Sequence, residues 1–316
     1  MTPRVAGKKS SARRGGSGDM DDNAVFLQSV EALRHSIDRR LAELIPEPES
    51  EPTQLNGAAH YALLAPGKRF RPFLTLLAAE AFGASPGKAM DVACAMEMVH
   101  AASLILDDLP SMDDARLRRG RPTTHRQFGE AAAILASVGL LNNAFAVIAA
   151  ADGLTAQDRI DLTAALSGAI GFDGLVAGQA LDLQDREAPR TPAEIDALNH
   201  QKTSVLMIVA AEAGARIGGA SPDARQAVGE FARRIGLAFQ IRDDLIDVEE
   251  GVESAGKDVG KDAGMTTLVS ALGPRQALAA MEGHLDAAEA ALIRAGCEGR
   301  LGRFARSLFT GRKAAA

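Results

Sequence analysis

The sequence predicts an all-α protein, a single large helical bundle around a central cavity, and three observations carry that prediction. Hydrophobic residues make up 47% of the 316, much of it Ala and Leu, a composition that favours helix over strand. Aromatics are 4%, with no Trp and one Tyr, too few for an aromatic-rich sandwich. Apolar residues recur at three- and four-residue spacing, and no stretch alternates long enough to make a useful strand.

Residues 1–23 differ from the rest. Arg4, Lys8, Lys9, Arg13 and Arg14 stand among Gly and Ser ahead of the first acid, Asp19. The segment reads as a disordered basic tail, with weak contact to anionic lipid or phosphate as the alternative. It has no apolar core of the kind a secretory signal carries. Residues 24–316 read as one all-helical domain. Its first stripe is Val25, Leu27, Val30, Leu33, Ile37, Leu41 and Leu44. Helical patterns follow over residues 73–82, 88–108, 127–150, 156–183, 192–217, 224–248, 274–295 and 300–309. Breakers separate them: Pro66-Gly67, Pro86-Gly87, Pro110, Gly120 with Pro122, Asp152-Gly153, and Gly219 to Pro222. Thr191-Pro192-Ala193-Glu194 is a start signal, with a cap at Thr191, Pro in the first turn and Glu at the capping-box position. The last six residues are expected to fray. No linker composition and no internal repeat divides the domain.

Charge and cysteine content narrow the function. Lys plus Arg is 35 and Asp plus Glu is 41, giving a net charge of -6, so the chain lacks the basic face that nucleic acid requires. Cys94 and Cys297 are far apart with no spacing partners, which excludes a disulfide framework and a zinc finger and makes a reducing cytoplasm the expected compartment. Residues 131–150 carry no charge, yet Ser137, Gly139, Asn142 and Asn143 fit a buried helix better than a lipid span; no integral membrane segment is expected.

Two acidic clusters stand out. Asp107-Asp108-Leu109-Pro110-Ser111-Met112-Asp113-Asp114 closes an apolar helix containing Met96, Val99, His100, Leu104 and Leu106. On a continued helix Asp113 would lie about 240° around from Asp107. Pro110 disfavours that continuation, so the chain can bend and bring Asp113 back beside Asp107. The second cluster is Asp243-Asp244-Leu245-Ile246-Asp247, with Asp243 and Asp247 at i and i+4 on one face. All-oxygen clusters select hard ions, and Mg²⁺ shared with substrate phosphate oxygens is the natural occupant. No His or Cys accompanies the acids, which disfavours zinc. The alternate-residue spacing and the Gly of an EF-hand are missing. A solvated helix end explains one such cluster more easily than it explains two.

Cations answer these acids. Gly67-Lys68-Arg69-Phe70-Arg71-Pro72 places three in four residues, and Leu117-Arg118-Arg119-Gly120-Arg121-Pro122 follows the first cluster directly. Arg forks suit diphosphate, although a solvated patch is the plainer reading of either run alone. Residues 200–203 (HQKT) and 256–262 (GKDVGKD) add further cations. His100 suits either a phosphate donor or a hydrogen-bonded core histidine.

Taken in order, the stretches APGKRFRP, HAASLILDDLPSMDDARLRRGRPTTH, ILASVGLL, GQALDL, HQKT, AFQIRDDLID and GKDVGKDAG resemble the trans-isoprenyl diphosphate synthase (polyprenyl synthetase) family, nearest the bacterial geranylgeranyl diphosphate synthases of carotenoid pathways. The resemblance spans about Tyr61 to Gly273. It implies an all-α bundle, a homodimer, and a cavity inside each subunit. Its substrates are isopentenyl diphosphate and allylic diphosphates, with three Mg²⁺ ions when diphosphate is bound. Carried over by motif, Asp107 and Asp113, assisted by Asp108, would hold Mg²⁺, and Asp243, Asp244 and Asp247 a third ion. Lys68, Arg71, His100 and Arg119, with Arg69 close by, match the isopentenyl diphosphate site. Arg118, Lys202, Thr203, Gln240 and Lys257 match the allylic site, and Lys202 joins Asp107, Asp108, Asp113, Asp243 and Asp244 as catalytic. Gln179 and Asp182 lie in the Gly-Gln-x-x-Asp segment that faces the cavity. Where the family often has Lys after Asp-Ala-Gly, this chain has Met265, and Lys261 is the candidate to compensate. The loop at residues 257–262 is expected to close over the metals.

Product length follows from the same resemblance. Members that stop at C15 commonly carry a bulky aromatic four or five residues before Asp107. Here Ser103 and Ala102 stand there, so a longer tail can pass and C20 is the expected product. Met96, Val99 and residues 135–141 form the expected floor. The alternatives are a farnesyl diphosphate synthase, which the small pair opposes; a terpene cyclase, which lacks the second motif; and a non-catalytic subunit of a heteromeric synthase, which tends to lose these aspartates.

Overall fold

A computed structural model describes residues 18–184, 190–250 and 267–310, with Asp247 described as backbone alone. Its elements are α1 (Gly18–Glu43), α2 (Thr53–Leu63), α3 (Phe70–Ala81), α4 (Pro86–Asp107), a short hairpin β1 (Leu117–Arg118) and β2 (Arg121–Pro122), α5 (Thr124–Phe128), α6 (Glu130–Ala150), α7 (Ala156–Ile170) and α8 (Leu175–Gln184). These are followed by α9 (Pro192–Asn199), a π-helical turn (His200–Ser204), α10 (Val205–Ile217), α11 (Pro222–Glu250), α12 (Leu268–Leu272), α13 (Pro274–Ala295) and α14 (Gly299–Thr310).

Local chemistry sets the helix ends. Ser85 precedes α4 and Pro86 occupies its first turn, where a missing N–H costs nothing. Thr191 and Glu194 form the capping box expected at the start of α9. Gly296 ends α13 in the left-handed conformation.

The bundle is built around α4. This helix buries Val92, Ala95, Met96, Met98, Val99 and Ala102 and packs against α3 and α6. Helix α10 joins α3 to α11, and α11 lies along α13. The α3–α10 contact is close enough that a Cβ at Gly214 would stand 2.1 Å from the Thr75 carbonyl oxygen, and the Thr75 hydroxyl donates to the Ala210 carbonyl at 2.9 Å. Ala-rich faces permit this approach, which is why a composition poor in aromatics still closes a core.

The structure differs from the periodicity in five places. The pattern over 156–183 splits into α7 and α8 at residues 171–174, where Gly174 lies so close to Ala169 that a Cβ would stand 2.1 Å from its carbonyl oxygen, room only glycine leaves. The pattern over 192–217 contains the π-helical turn. Helix α2 starts after Pro52 with a weak apolar stripe, and the β1–β2 hairpin is too short to alternate. Residues 131–150 do not form a wholly buried helix. Ala133, Ala136, Leu140, Ala144 and Ile148 of α6 face the core, while Ile134, Leu135 and Val138 are 42%, 57% and 57% exposed. By length and composition, Pro86–Asp107, Glu130–Ala150 and Ala156–Gln184 could each cross a bilayer. The first is packed at the centre of the bundle and the last is broken at residues 171–174.

Candidate active site

The C-terminus of α4 bends as Pro110 requires. The Asp113 N–H donates to the Asp107 carbonyl at 2.9 Å, the Asp114 N–H to Leu109 at 3.0 Å, and the Ala115 N–H to Asp108 at 3.2 Å. This turn returns Asp113 to Asp107. Burial pushes the Asp107 carboxyl up to about 6, with Asp113 and Asp108 adding to the rise and Lys202 and Arg118 opposing it. Three carboxylates and two cations therefore act on one another in a half-dry space.

Asp108 does something different. It is 3% exposed, and Arg118 grips it as a fork, with Nε 3.0 Å from both oxygens and Nη2 2.6 Å from Oδ1. Burial raises the Asp108 carboxyl and Arg118 pulls it back down. The hairpin supplies the guanidinium. Leu117 pairs with Pro122 and Arg118 with Arg121, and the turn residues Arg119 and Gly120 both take positive φ, 54° and 73°. Arg119 Nη1 donates to the Pro66 carbonyl at 2.8 Å. A Cβ at Gly67 would stand 2.6 Å from that nitrogen, so glycine leaves the room that Arg119 fills.

The second cluster lies across a cleft of about 170 Å³ lined by Asp182, Arg190, Ile195, Leu198, Asn199, Lys202, Thr203, Gln240, Asp244 and Thr267. Lys202 stands on the π-helical turn, whose extra residue re-aims side chains relative to a regular helix. Its Nζ donates to Asp182 Oδ2 at 2.6 Å, and Arg190 reaches the other Asp182 oxygen at 3.4 Å. Gln240 Nε2 donates to Asp244 Oδ1 at 3.2 Å. Lys202 therefore lines the Asp244 cleft while its charge acts on Asp107. Asp243 lies beside Asp244 on α11.

A third group gathers beyond α4. Lys68 Nζ sits 5.1 Å from the Phe239 ring centroid, which brings the loop before α3 against α11 one residue before Gln240. Burial pulls Arg71 down to about 10; Glu97 opposes that pull and Arg119 adds to it. His100 is held neutral by burial and by Arg71, Arg119, Arg118 and Arg69. Arg69 is 4% exposed, with Nε on Asp38 at 2.6 Å and Nη1 on Glu97 at 2.9 Å.

Two buried polar atoms, Arg71 Nε in this group and Gln179 Nε2 on α8, have no hydrogen-bond partner among the described residues. Orphaned donors of this kind fit an anionic ligand. Asp107, Asp113 and Asp244 offer oxygen donors alone, which fit a hard divalent cation. Among the described residues no three acidic or His/Cys side chains are gathered tightly enough to grip an ion by themselves, so a diphosphate would complete the shell.

Ala102 is 2% exposed and its carbonyl accepts the Ser137 hydroxyl of α6 at 2.9 Å; the Ser103 hydroxyl donates to the His100 carbonyl at 2.9 Å. Met96, Val99 and Leu140 are buried beneath them, but Leu135 faces outward and is no part of that floor. Lys257, Lys261, Met265 and the 257–262 loop lie outside the described residues, as do residues 1–17 and the Asp247 side chain. Sequence reasoning missed Asp38, Glu97 and Arg190. Glu97 had one available signal, its place one helical turn before His100.

A family model described as polyprenyl synthetase matches residues 52–273. The chain is 48% identical over 262 residues to the geranylgeranyl diphosphate synthase of Pantoea ananas, spanning 82% of this chain and 85% of that protein. It is 41% identical over 279 residues to the farnesyl diphosphate synthase of Geobacillus stearothermophilus, spanning 86% and 93%. A crystal structure of a geranyltransferase from Helicobacter pylori, complexed with magnesium and isoprenyl diphosphate, superposes with a TM-score of 0.79 at 28% identity, over 90% of this chain and 98% of that one.

Proposed function

Because the chain belongs to the polyprenyl synthetase family, we propose that it is a Mg²⁺-dependent prenyltransferase that condenses isopentenyl diphosphate head-to-tail with allylic diphosphates and releases geranylgeranyl diphosphate. The observation that supports the reading is Lys202, which lines the cleft of Asp244 while its charge acts on Asp107.

In this reading Asp107 and Asp113 on one side and Asp243, Asp244 and Asp247 on the other hold the ions, three in all. Bound there, Mg²⁺ neutralises diphosphate charge and eases its departure. Arg118, Lys202, Thr203, Gln240 and Lys257 hold the allylic diphosphate, and the cations among them stabilise negative charge where it develops as the C1–O bond breaks. Lys68, Arg71, His100 and Arg119 hold isopentenyl diphosphate with its double bond near C1. That double bond attacks the allylic cation, and the proton then lost passes to the released diphosphate. Lys202 begins on Asp182, which keeps its Nζ poised at the cleft until a diphosphate arrives. The aliphatic wall of α4 excludes water, which would quench the cation.

Each added isoprene unit buries five carbons, worth about 0.8 kcal/mol per CH₂. Elongation therefore continues while space remains, and the small Ala102 and Ser103 favour C20. The outward apolar face of α6, with Ile134, Leu135 and Val138, supports a homodimer. Cys94 and Cys297 are both buried and unpaired, which supports a cytoplasmic enzyme. A supply role for carotenoid synthesis follows from the resemblance alone.

The test supplies isopentenyl diphosphate with dimethylallyl, geranyl or farnesyl diphosphate and Mg²⁺, then sizes the products. C20 from every primer is expected. Products ending at C15 indicate a farnesyl diphosphate synthase, and no condensation at all points to a non-catalytic subunit.

A further inference from the structure

Arg69 occupies the N-cap of α3 in the left-handed region, with φ 49° and ψ 37°. A non-glycine residue there is strained and persists only when its surroundings hold it. Here two carboxylates from two other helices do so. Asp38 of α1 accepts from Nε and Glu97 of α4 from Nη1, and the Arg69 side chain is 3% exposed. Three helices thus meet on one guanidinium. Lys68 precedes this fixed point and Arg71 follows it by two residues.

Glu97 does more than pair with Arg69. Its side chain is 4% exposed and its charge also acts on Arg71 and Arg119. It sits one turn before His100 on the same face of α4. A carboxylate there would repel a diphosphate if it touched one, so its contribution passes through the arginines.

We infer that Glu97 is a positioning residue for the isopentenyl diphosphate site, that Asp38 and Arg69 complete the clamp, and that Arg69 is no direct ligand of substrate. This rests on the condensation proposed above. The Asp38–Arg69–Glu97 clamp fixes the backbone from which Lys68 and Arg71 project. It also brings α1, otherwise remote from the chemistry, into the wall behind the site.

The experiment measures steady-state KM for each substrate, kcat, thermal unfolding, and calorimetric binding of isopentenyl diphosphate. Glu97→Ala is expected to raise the isopentenyl diphosphate KM about tenfold, the loss of one buried charge-assisted hydrogen bond. The allylic KM and kcat should stay within about twofold, because those ligands stand on other elements. Glu97→Gln keeps an acceptor for Arg69 Nη1 and should restore the KM to within about threefold of wild type. Arg69→Lys keeps a cation but cannot fork to both carboxylates, and should behave like Glu97→Ala. Equal rises in both KM values, or no rise in either, overturn the inference. If Glu97→Ala does not fold, Glu97→Asp and Arg69→Lys carry the same selective prediction. A wild type that binds isopentenyl diphosphate yet forms no product sinks the condensation reading, while the calorimetric comparison of the variants still decides the role of Glu97.

Discussion

Asp108→Asn separates two jobs that adjacent carboxylates perform. In the wild type Arg118 places three hydrogen-bond contacts on Asp108, whose side chain is 4% exposed. The amide keeps the shape but loses the charge and aims an N–H₂ at the guanidinium. Breaking a buried ion pair from one side costs about 3–5 kcal/mol, because a charge is left uncompensated. The Arg118 side chain is 35% exposed and water relieves part of that, so about 2 kcal/mol is the expected loss. For a domain of this size that lowers Tm by roughly 4 °C. Arg118 then loses its fixed aim at the allylic diphosphate, and the allylic KM should rise about tenfold. The Mg²⁺ concentration for half-maximal rate should stay where it was, since both Asp108 oxygens already face Arg118. Asp107→Asn should do the reverse, raising the Mg²⁺ requirement sharply with little change in Tm, since burial already disfavours the charged Asp107. The assay titrates Mg²⁺ at saturating substrates for all three proteins, alongside thermal melts. An equal shift in Mg²⁺ requirement for the two variants would refute the division and make Asp108 a direct ligand.

Other variants test other parts of the account. Ala102→Tyr puts a ring at a buried position of α4 five residues before Asp107, and should move the product from C20 toward C15 by chromatography; unchanged products would mean the tail runs elsewhere. Leu135→Glu with Val138→Glu puts two charges on the outward face of α6 and should yield a monomer by light scattering, whereas an intact dimer would move the interface off α6. Glu230 accepts from Arg233 and Arg234, which hold its carboxyl down at about 2 from an ordinary 4.5. A depressed carboxylate stabilises the fold above its unfolded value and loses that contribution as pH falls through the folded one. Glu230→Gln should therefore cost about 1 kcal/mol at neutral pH after allowance for exposure. The difference from wild type should shrink between pH about 4.5 and about 2, and a gap constant across that window would contradict the assignment.

Much of the bundle was legible because α4, α11 and α13 carry their own signals: apolar residues at helical spacing, a start at Pro86 or Pro274, and breakers between them. The Thr191–Glu194 box was legible for the same reason, since its partners are three residues apart. The π-helical turn was not, because one extra residue in a helical run leaves the apolar period nearly intact. The α7–α8 break was hidden because Gly174 matters through its close approach to the Ala169 carbonyl, which spacing alone does not show. In the site, the acidic and basic runs announced themselves by density of charge. Asp38 and Glu97 are single acids, 31 and 28 residues from Arg69, and nothing local marks either as its partner. Local sequence shows Arg69 only as a guanidinium between two cations; its two carboxylates come into view only in the fold.

Calorimetric titration of pyrophosphate, with and without Mg²⁺, tests most directly whether the two acidic clusters serve one ligand. Binding should require the ion in the wild type, and Asp107→Ala and Asp244→Ala should each abolish it although the two residues lie on different helices. Undiminished Mg²⁺-dependent binding in Asp244→Ala would mean that the two acidic clusters do not serve one ligand.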